Sequence, residues 1–187
     1  NAGSSPNYVA VDDFNEDGVP DLVIANGMSY GERVLSFLQG KGNGEFEPRT
    51  TFYLGYEPAN GIALGDFNHD GHSDVFVPNW YPGGSVQILL GDGNGNFSLS
   101  ATWAVEGRAN NVSVGDYNLD GNLDGVVCNW DNSKITIIYG DGSGGFVSDK
   151  KLTTGTRPQN VGTADFDHDG DEDLVLACAL NLTVTVF

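Results

Sequence analysis

The sequence predicts an all-β protein of four repeated units, each with the size and content of a propeller blade. An aspartate-rich motif occurs four times, beginning at Asp13, Asp66, Asp116 and Asp165, so that successive starts are 49 to 53 residues apart. Each motif lies between short segments rich in β-branched and aromatic residues, which favour strands. No segment has the sustained 3.6-residue period with capping signals that a surface helix needs.

The first unit shows the predicted strands in order. The alternating segment NYVAV precedes the motif and the apolar segment DLVIA follows it. The next strand, RVLSFLQG, leads into the glycine-rich turn KGNGEF, and TTFYL is the fourth element. Four short strands in about 50 residues are typical of one blade of a β-propeller.

The other units repeat this order. The second has GIALG, DVFVP, SVQILLG and SATWAV, the third has NVSVG, DGVVC, KITIIYG and KKLTT, and the fourth has NVGTA, DLVLA and LTVTVF. We therefore predict three full blades and most of a fourth in one repeat domain, residues 1–187, with approximate units 1–54, 55–104, 105–154 and 155–187. The last unit lacks its outer strand, and a glycine-rich solenoid is the alternative fold.

The motif, D-x-[DN]-x-D-G-x-x-D, predicts a calcium loop. Positions 1, 3, 5 and 9 supply side-chain oxygens, position 7 supplies a carbonyl, and glycine at position 6 allows the turn, a set of hard ligands that suits Ca²⁺. We expect about four Ca²⁺ ions, held by Asp13, Asn15, Asp17, Val19 and Asp21; Asp66, Asn68, Asp70, His72 and Asp74; Asp116, Asn118, Asp120, Asn122 and Asp124; and Asp165, Asp167, Asp169, Asp171 and Asp173.

Other interpretations of the motif fit less well. An EF-hand requires glutamate at position 12, where the four copies have Ile24, Val77, Val127 and Leu176. The ligands are too hard for zinc or copper. Aspartates beside glycine could simply be turn formers. In four such loops, however, the carboxylates of each loop would repel one another without a cation. We expect a structural metal with an affinity of roughly 10⁻⁴–10⁻³ M per site.

The charge of the chain restricts its partners. There are 26 acidic and 8 basic side chains among 187 residues, which gives a formal charge of −18. Nucleic acids and anionic membranes would be repelled. The longest apolar stretch, residues 174–180, is too short to span a bilayer, so we expect no membrane insertion.

Two tryptophans outside the motif are candidates for ligand binding. Trp80 and Trp130 occupy equivalent places after the second strand, at the end of the blades opposite the calcium loops. They could stack on sugar rings, although packing between blades is the favoured interpretation.

Cys128 and Cys178, the only cysteines, lie on neighbouring second strands, and we expect two buried free thiols.

The recurring patterns GDFNxDGxxD, DLVxAN and VxxLLGDGxGxF resemble the FG-GAP or VCBS repeat of integrin α-subunit heads, bacterial secreted proteins and some fungal lectins. The resemblance covers essentially the whole chain. It implies a β-propeller, usually of seven blades, with calcium in the loop between the first and second strands of a blade. It also implies a secreted or cell-surface location. Asn15, Asn68 and Asn118 keep an oxygen ligand but lose a charge, so the fourth site should bind most tightly.

The expected function is a non-catalytic, calcium-binding extracellular module for adhesion or structural assembly. No Ser/His/Asp or Cys/His set for catalysis is evident, and the aspartates belong to the loops. A carbohydrate-binding lectin that uses Trp80 and Trp130, or an accessory module of a secreted enzyme, are the alternatives. A protein or glycan partner, self-association, or completion by another chain is expected at the unfinished edge near Phe187.

Overall fold

A computed structural model describes residues 2–27, 34–55 and 61–180, and the backbone of residues 183–186. In these ranges the chain forms only strands and turns, and it contains no helix that could cross a membrane. The end of the chain at Phe187, where an unfinished edge was predicted, lies outside the described residues. The strands are β1 (Pro6–Asp12), β2 (Asp21–Asn26), β3 (Val34–Leu38), β4 (Thr50–Tyr53), β5 (Ala63–Gly65), β6 (Asp74–Asn79), β7 (Ser85–Gly91), β8 (Phe97–Ala104), β9 (Ala109–Gly115), β10 (Asp124–Asn129), β11 (Lys134–Gly140), β12 (Phe146–Thr153), β13 (Pro158–Ala164), β14 (Asp173–Cys178) and β15 (Thr183–Val186).

The strands form four antiparallel sheets in which sequence neighbours pair. Blade 1 contains β1–β4, blade 2 contains β5–β8, blade 3 contains β9–β12, and blade 4 contains β13–β15. This arrangement confirms the prediction of three four-stranded blades and most of a fourth. Up-and-down sheets of this kind, with no strand shared between units, are blades rather than turns of a solenoid.

The same register places the acidic loop in every blade. The last residue of the first strand pairs with the ninth-position aspartate, as in Asp12 with Asp21 and Gly65 with Asp74. Blades 3 and 4 repeat this pair as Gly115 with Asp124 and Ala164 with Asp173. Each acidic loop is therefore the connection between the first two strands of a blade, clamped at its base by the sheet.

The hydrophobic core lies between blades. Side chains alternate across the second strand of each blade, so the residue after the ninth-position aspartate faces the preceding blade and the next one faces the following blade. Val23 of blade 1 packs in a cluster with Val75 of blade 2, and Val126 of blade 3 packs in a cluster with Leu174 of blade 4. A blade with two apolar faces can bury both only between neighbours, which explains why the units are repeated.

The two cysteines are both buried and free. Cys128 belongs to the cluster between blades 3 and 4. Burial, with a smaller contribution from Cys178, raises the pKa of the Cys128 thiol, so this side chain is a neutral part of the core.

Candidate functional site

The four acidic loops share one backbone conformation. The residue at position 4 has a positive φ of 57° to 63° in every copy, and the glycine at position 6 has a φ of 83° to 98°. The left-handed region is costly for side chains other than glycine, and asparagine and aspartate tolerate it best. Since position 4 holds Glu16, His69, Leu119 and His168, the surrounding hydrogen bonds must impose the conformation.

Those hydrogen bonds turn the side chains at positions 1, 3 and 5 toward one another. In the second loop the Asp70 amide donates to Asp66 Oδ1 at 3.1 Å and to Asn68 Oδ1 at 3.2 Å. The Gly71 amide donates to Asp66 Oδ2 at 2.9 Å, and the His72 amide donates to Asp70 Oδ1 at 2.9 Å. The first and third loops repeat all four contacts within 0.3 Å.

In the first three loops the ninth-position aspartate is the most buried ligand. Asp74 is fully buried, and its two oxygens accept hydrogen bonds from the Phe67 amide at 2.8 Å and the Gly91 amide at 2.9 Å. Asp124 has the equivalent contacts with Tyr117 and Gly140. This side chain therefore ties the loop to the end of the third strand whether or not a metal is present.

Burial makes these carboxylates hard to ionise. It raises the pKa of Asp74 to about 6, helped by the charges of Asp70 and Asp66 and opposed by the two backbone amides. Burial also raises the pKa of Asp124 to about 6, and that of Asp21 is raised in the same way. A bound cation would remove the cost of holding these charges out of water.

Two observations test whether a cation fits. In the fourth loop, carboxylate oxygens of Asp165, Asp167 and Asp173 lie within 4.8 Å of one another, as oxygens that share one Ca²⁺ at about 2.3–2.6 Å must. In the first loop, Asp21 Oδ2 is buried and has no hydrogen-bond partner among the described residues. A buried carboxylate oxygen without a donor is costly, and a cation would satisfy it.

All twenty predicted ligands lie in these four loops, but not all of them converge to the same degree. Asp169 is not part of the three-carboxylate group of the fourth loop. In the first three loops position 3 is an asparagine, whose Nδ2 donates to the position 5 carboxylate, as Asn68 donates to Asp70 at 2.8 Å. That contact leaves the amide oxygen for a metal and replaces one of the repulsive pairs of the fourth loop.

Trp80 and Trp130 contact each other. Their ring centroids are 5.6 Å apart with an interplanar angle of 63°. The Arg108 guanidinium lies 5.6 Å from the Trp80 ring, and the Arg157 guanidinium lies 5.5 Å from the Trp130 ring. Arg108 also pairs with Asp131 at 2.7 Å. Because each indole already contacts the other indole and an arginine, this geometry favours packing between blades over stacking on a sugar.

A cavity of about 510 Å³ lies where first strands of different blades meet. Most of its lining comes from β1, β9 and β13, the first strands of three blades, with Ala177 of β14 beside them, and we call it the axial cavity. Its polar lining consists of Asn7, Tyr8, Asn110, Asn111, Gln159 and Asn160. Sequence reasoning missed this group, although a pattern was available: the residue six places before each motif is a carboxamide in all four units, Asn7, Asn60, Asn110 and Gln159. Asn60 lies outside the described residues.

A family model described as an FG-GAP-like repeat matches residues 13–77 and 116–176, about two thirds of the chain. The chain belongs to the FG-GAP repeat family. No curated protein matches the sequence. Each segment matched as an FG-GAP-like repeat contains two of the acidic loops, 13–21 and 66–74 in the first segment and 116–124 and 165–173 in the second.

Solved structures share the fold. A crystal structure of BBS1N in complex with ARL6DN superposes with a TM-score of 0.66 at 15% identity, covering all of this chain and 58% of that one. A lectin from Agrocybe aegerita, described as recognising non-reducing terminal N-acetylglucosamine, superposes with a TM-score of 0.59 at 18% identity, covering 92% of this chain and 47% of that one. The FG-GAP chain thus spans about half of the length of these structures, and the similarity establishes the fold alone.

Proposed function

We propose that the chain is a non-catalytic, calcium-binding module of a secreted or cell-surface protein and that it serves in adhesion or structural assembly. The observation that carries the proposal is the repetition of one loop conformation in four blades. In the first three blades the oxygens of positions 1 and 3 are held beside position 5 by shared backbone hydrogen bonds, and in the fourth three carboxylates lie within 4.8 Å of one another. The loops join strands and lie at the base of the sheets, so the metal is structural. Affinities of roughly 10⁻⁴–10⁻³ M are typical of extracellular calcium modules.

Removal of calcium should lower the melting temperature. At a free calcium concentration ten times the dissociation constant, each site stabilises the fold by about 1.4 kcal/mol, and four equivalent sites by roughly 5–6 kcal/mol. The measurement is calorimetric melting in calcium and in chelator, with magnesium as the comparison cation. Asp70→Ala, which removes a ligand oxygen, should remove one site from a calcium titration, whereas Asp149→Ala, at an exposed acidic residue on the outer strand of blade 3, should leave the stoichiometry unchanged. Equal melting temperatures in calcium and chelator would contradict the proposal.

The outer faces of blades 1 and 4 support a role in assembly. In blades 1 and 2, Phe14 and Phe67 at loop position 2 are buried, and their carbonyls accept hydrogen bonds from Gly95 and Gly144 of the following blade. The equivalent Phe166 of blade 4 is 53% exposed. On the opposite flank, Val9 and Val11 of blade 1 are 51% and 57% exposed. These two outer faces correspond to the two sides of the interface that neighbouring blades form within the chain. We therefore propose that the outer face of blade 4 in one copy packs on the outer face of blade 1 in a second copy, head to tail.

Self-association through these flanks should depend on Phe166. We expect the weight-average mass in sedimentation velocity to rise with protein concentration in calcium, and Phe166→Asp to suppress the rise because it places a charge in an apolar interface. Leu99→Asp, a change of the same kind on the outer strand of blade 2, is the control. A single monomeric species at all concentrations would contradict the proposal.

A further inference from the structure

We propose that the axial cavity between blades 1, 3 and 4 binds a neutral polyhydroxylated ligand, such as one monosaccharide unit. This inference rests on the proposed role in adhesion and gives that role a ligand class and a site. The volume of about 510 Å³ is within the range of roughly 300–1,000 Å³ that small-ligand pockets occupy. The site differs from the tryptophan pair that the sequence suggested for sugar binding.

The chemistry of the lining selects the ligand. No charged side chain is among the described residues that line the cavity, although the chain carries a formal charge of −18. Five of the lining residues are carboxamides, and each carboxamide offers one acceptor oxygen and two N–H donors. A charged ligand would find no counter-charge there, and an apolar ligand would leave these groups unsatisfied. Adjacent sugar hydroxyls, which both donate and accept, match a carboxamide, and the Tyr8 ring offers an apolar face for sugar C–H groups.

Part of the amide set is already used to join blades, and part is not. Asn110 Nδ2 donates to the Gln159 carbonyl at 2.9 Å, and Asn111 Oδ1 accepts from the Val161 amide at 3.3 Å. These two side chains are buried and hold the wall of the cavity in place. Asn7 Nδ2 is buried as well, but it has no hydrogen-bond partner among the described residues. A buried donor without an acceptor is costly, and rotation of the Asn7 side chain would present this donor to a ligand hydroxyl in the cavity.

The wall comes from three different blades, so it is a product of the assembled fold. Asn7 lies on β1, Asn111 on β9 and Asn160 on β13. These strands also carry the acidic loops at their other ends, so the cavity and the metal loops can be tested separately. A fixed set of donors and acceptors on a rigid sheet loses little entropy when a ligand binds.

Side-chain amide and indole signals in one ¹H–¹⁵N correlation spectrum test the inference. The probes are glucose, galactose, mannose and N-acetylglucosamine, titrated to high millimolar concentration in calcium. For at least one of them, we expect saturable shifts of the cavity carboxamides, including Asn7 and Asn160, while the indole signals of Trp80 and Trp130 stay in place. Methyl glycosides of the sugar that binds then distinguish a free monosaccharide from the terminal unit of a glycan. Saturable shifts of the indoles alone, or no saturable shift with any probe, would overturn the inference.

A variant pair checks the site by affinity. Asn7→Ala should raise the dissociation constant of the sugar about tenfold, which corresponds to the loss of one to two hydrogen bonds. Asn43→Ala removes an exposed carboxamide from the β3–β4 hairpin and should leave the affinity unchanged. Equal affinities for both variants would overturn the assignment. Melting in calcium and in chelator is measured on the unaltered protein as well: no sugar binding by that protein with a normal calcium response refutes this inference alone, and no calcium response with sugar binding intact refutes only the metal role.

Discussion

The variant Asp74→Ala is expected to lose about 2–4 kcal/mol of its free energy of unfolding even in the presence of a chelator. The reason is the double role of the ninth-position aspartate. Asp74 accepts hydrogen bonds from the buried amides of Phe67 and Gly91, and alanine would leave both donors without an acceptor. Each unsatisfied buried amide costs about 1–3 kcal/mol, reduced by the relief of a carboxylate that burial makes hard to ionise. Urea unfolding monitored by tryptophan fluorescence measures the effect.

Asp70→Ala is the matched control for that measurement. Asp70 belongs to the same loop, but it is exposed, and water can replace it as the acceptor for the His72 amide. We expect this variant to lose calcium from the second loop and to lose less than about 1 kcal/mol in chelator. If the two variants are equally stable in chelator, the ninth-position aspartate acts only as a metal ligand, and the tie between the loop and the third strand has no energetic value.

The positions of the loops and strands followed from the sequence because each is specified locally. A glycine at position 6 and aspartates or asparagines at positions 1, 3 and 5 encode the turn within nine residues, and period-2 apolar segments encode the strands. Position 9 was predicted only as a ligand. Its hydrogen bonds to Phe67 and Gly91 join residues 7 and 17 places away, and such contacts follow from the register of the sheet rather than from the motif.

The axial cavity and the tryptophan pair show a second limit. Asn7 and Asn160 are separated by most of the chain and meet only because three first strands surround one axis. The repeated carboxamide was visible in the sequence, but nothing local distinguishes a cavity-lining asparagine from a turn former. Trp80 and Trp130 were correctly placed in equivalent positions, yet the arginines beside them come from connections whose course the sequence does not specify.

The interface between blades 2 and 3 contains a large and a small residue at positions where the other interfaces between blades have residues of intermediate size. Where the other blades have valine two residues after the ninth-position aspartate, blade 2 has Phe76, and where they have leucine or valine one residue after it, blade 3 has Gly125. Phe76 is fully buried, and a Cβ added to Gly125 would lie 2.4 Å from its Cζ atom. The large and small residues therefore compensate each other across the interface. Two distant positions in different repeats have to be read together before either makes sense.

Exchanging this pair should give strong thermodynamic coupling. Phe76→Val leaves a cavity between Phe67 and Phe146, whose ring centroids lie 5.7 and 6.1 Å from that of Phe76, and should cost about 2–4 kcal/mol. Gly125→Leu overpacks the same space and should cost at least about 1–3 kcal/mol. The double variant has the valine and leucine that are found together between blades 3 and 4. Its loss of free energy of unfolding should therefore be smaller than the sum of the two single losses by about 1–3 kcal/mol.

Urea unfolding of the four proteins in calcium measures this coupling, and Leu99→Ala, on the exposed face of β8, should change stability by less than about 0.5 kcal/mol. Additive losses would mean that Phe76 and Gly125 are tolerated independently. A coupling of the expected size would mean that each interface between blades is a separately packed unit. Blade order in this chain would then be set by side-chain volume. Gly125 of blade 3 leaves room for Phe76 of blade 2, and a void would remain if blade 3 instead followed a blade with valine at that position.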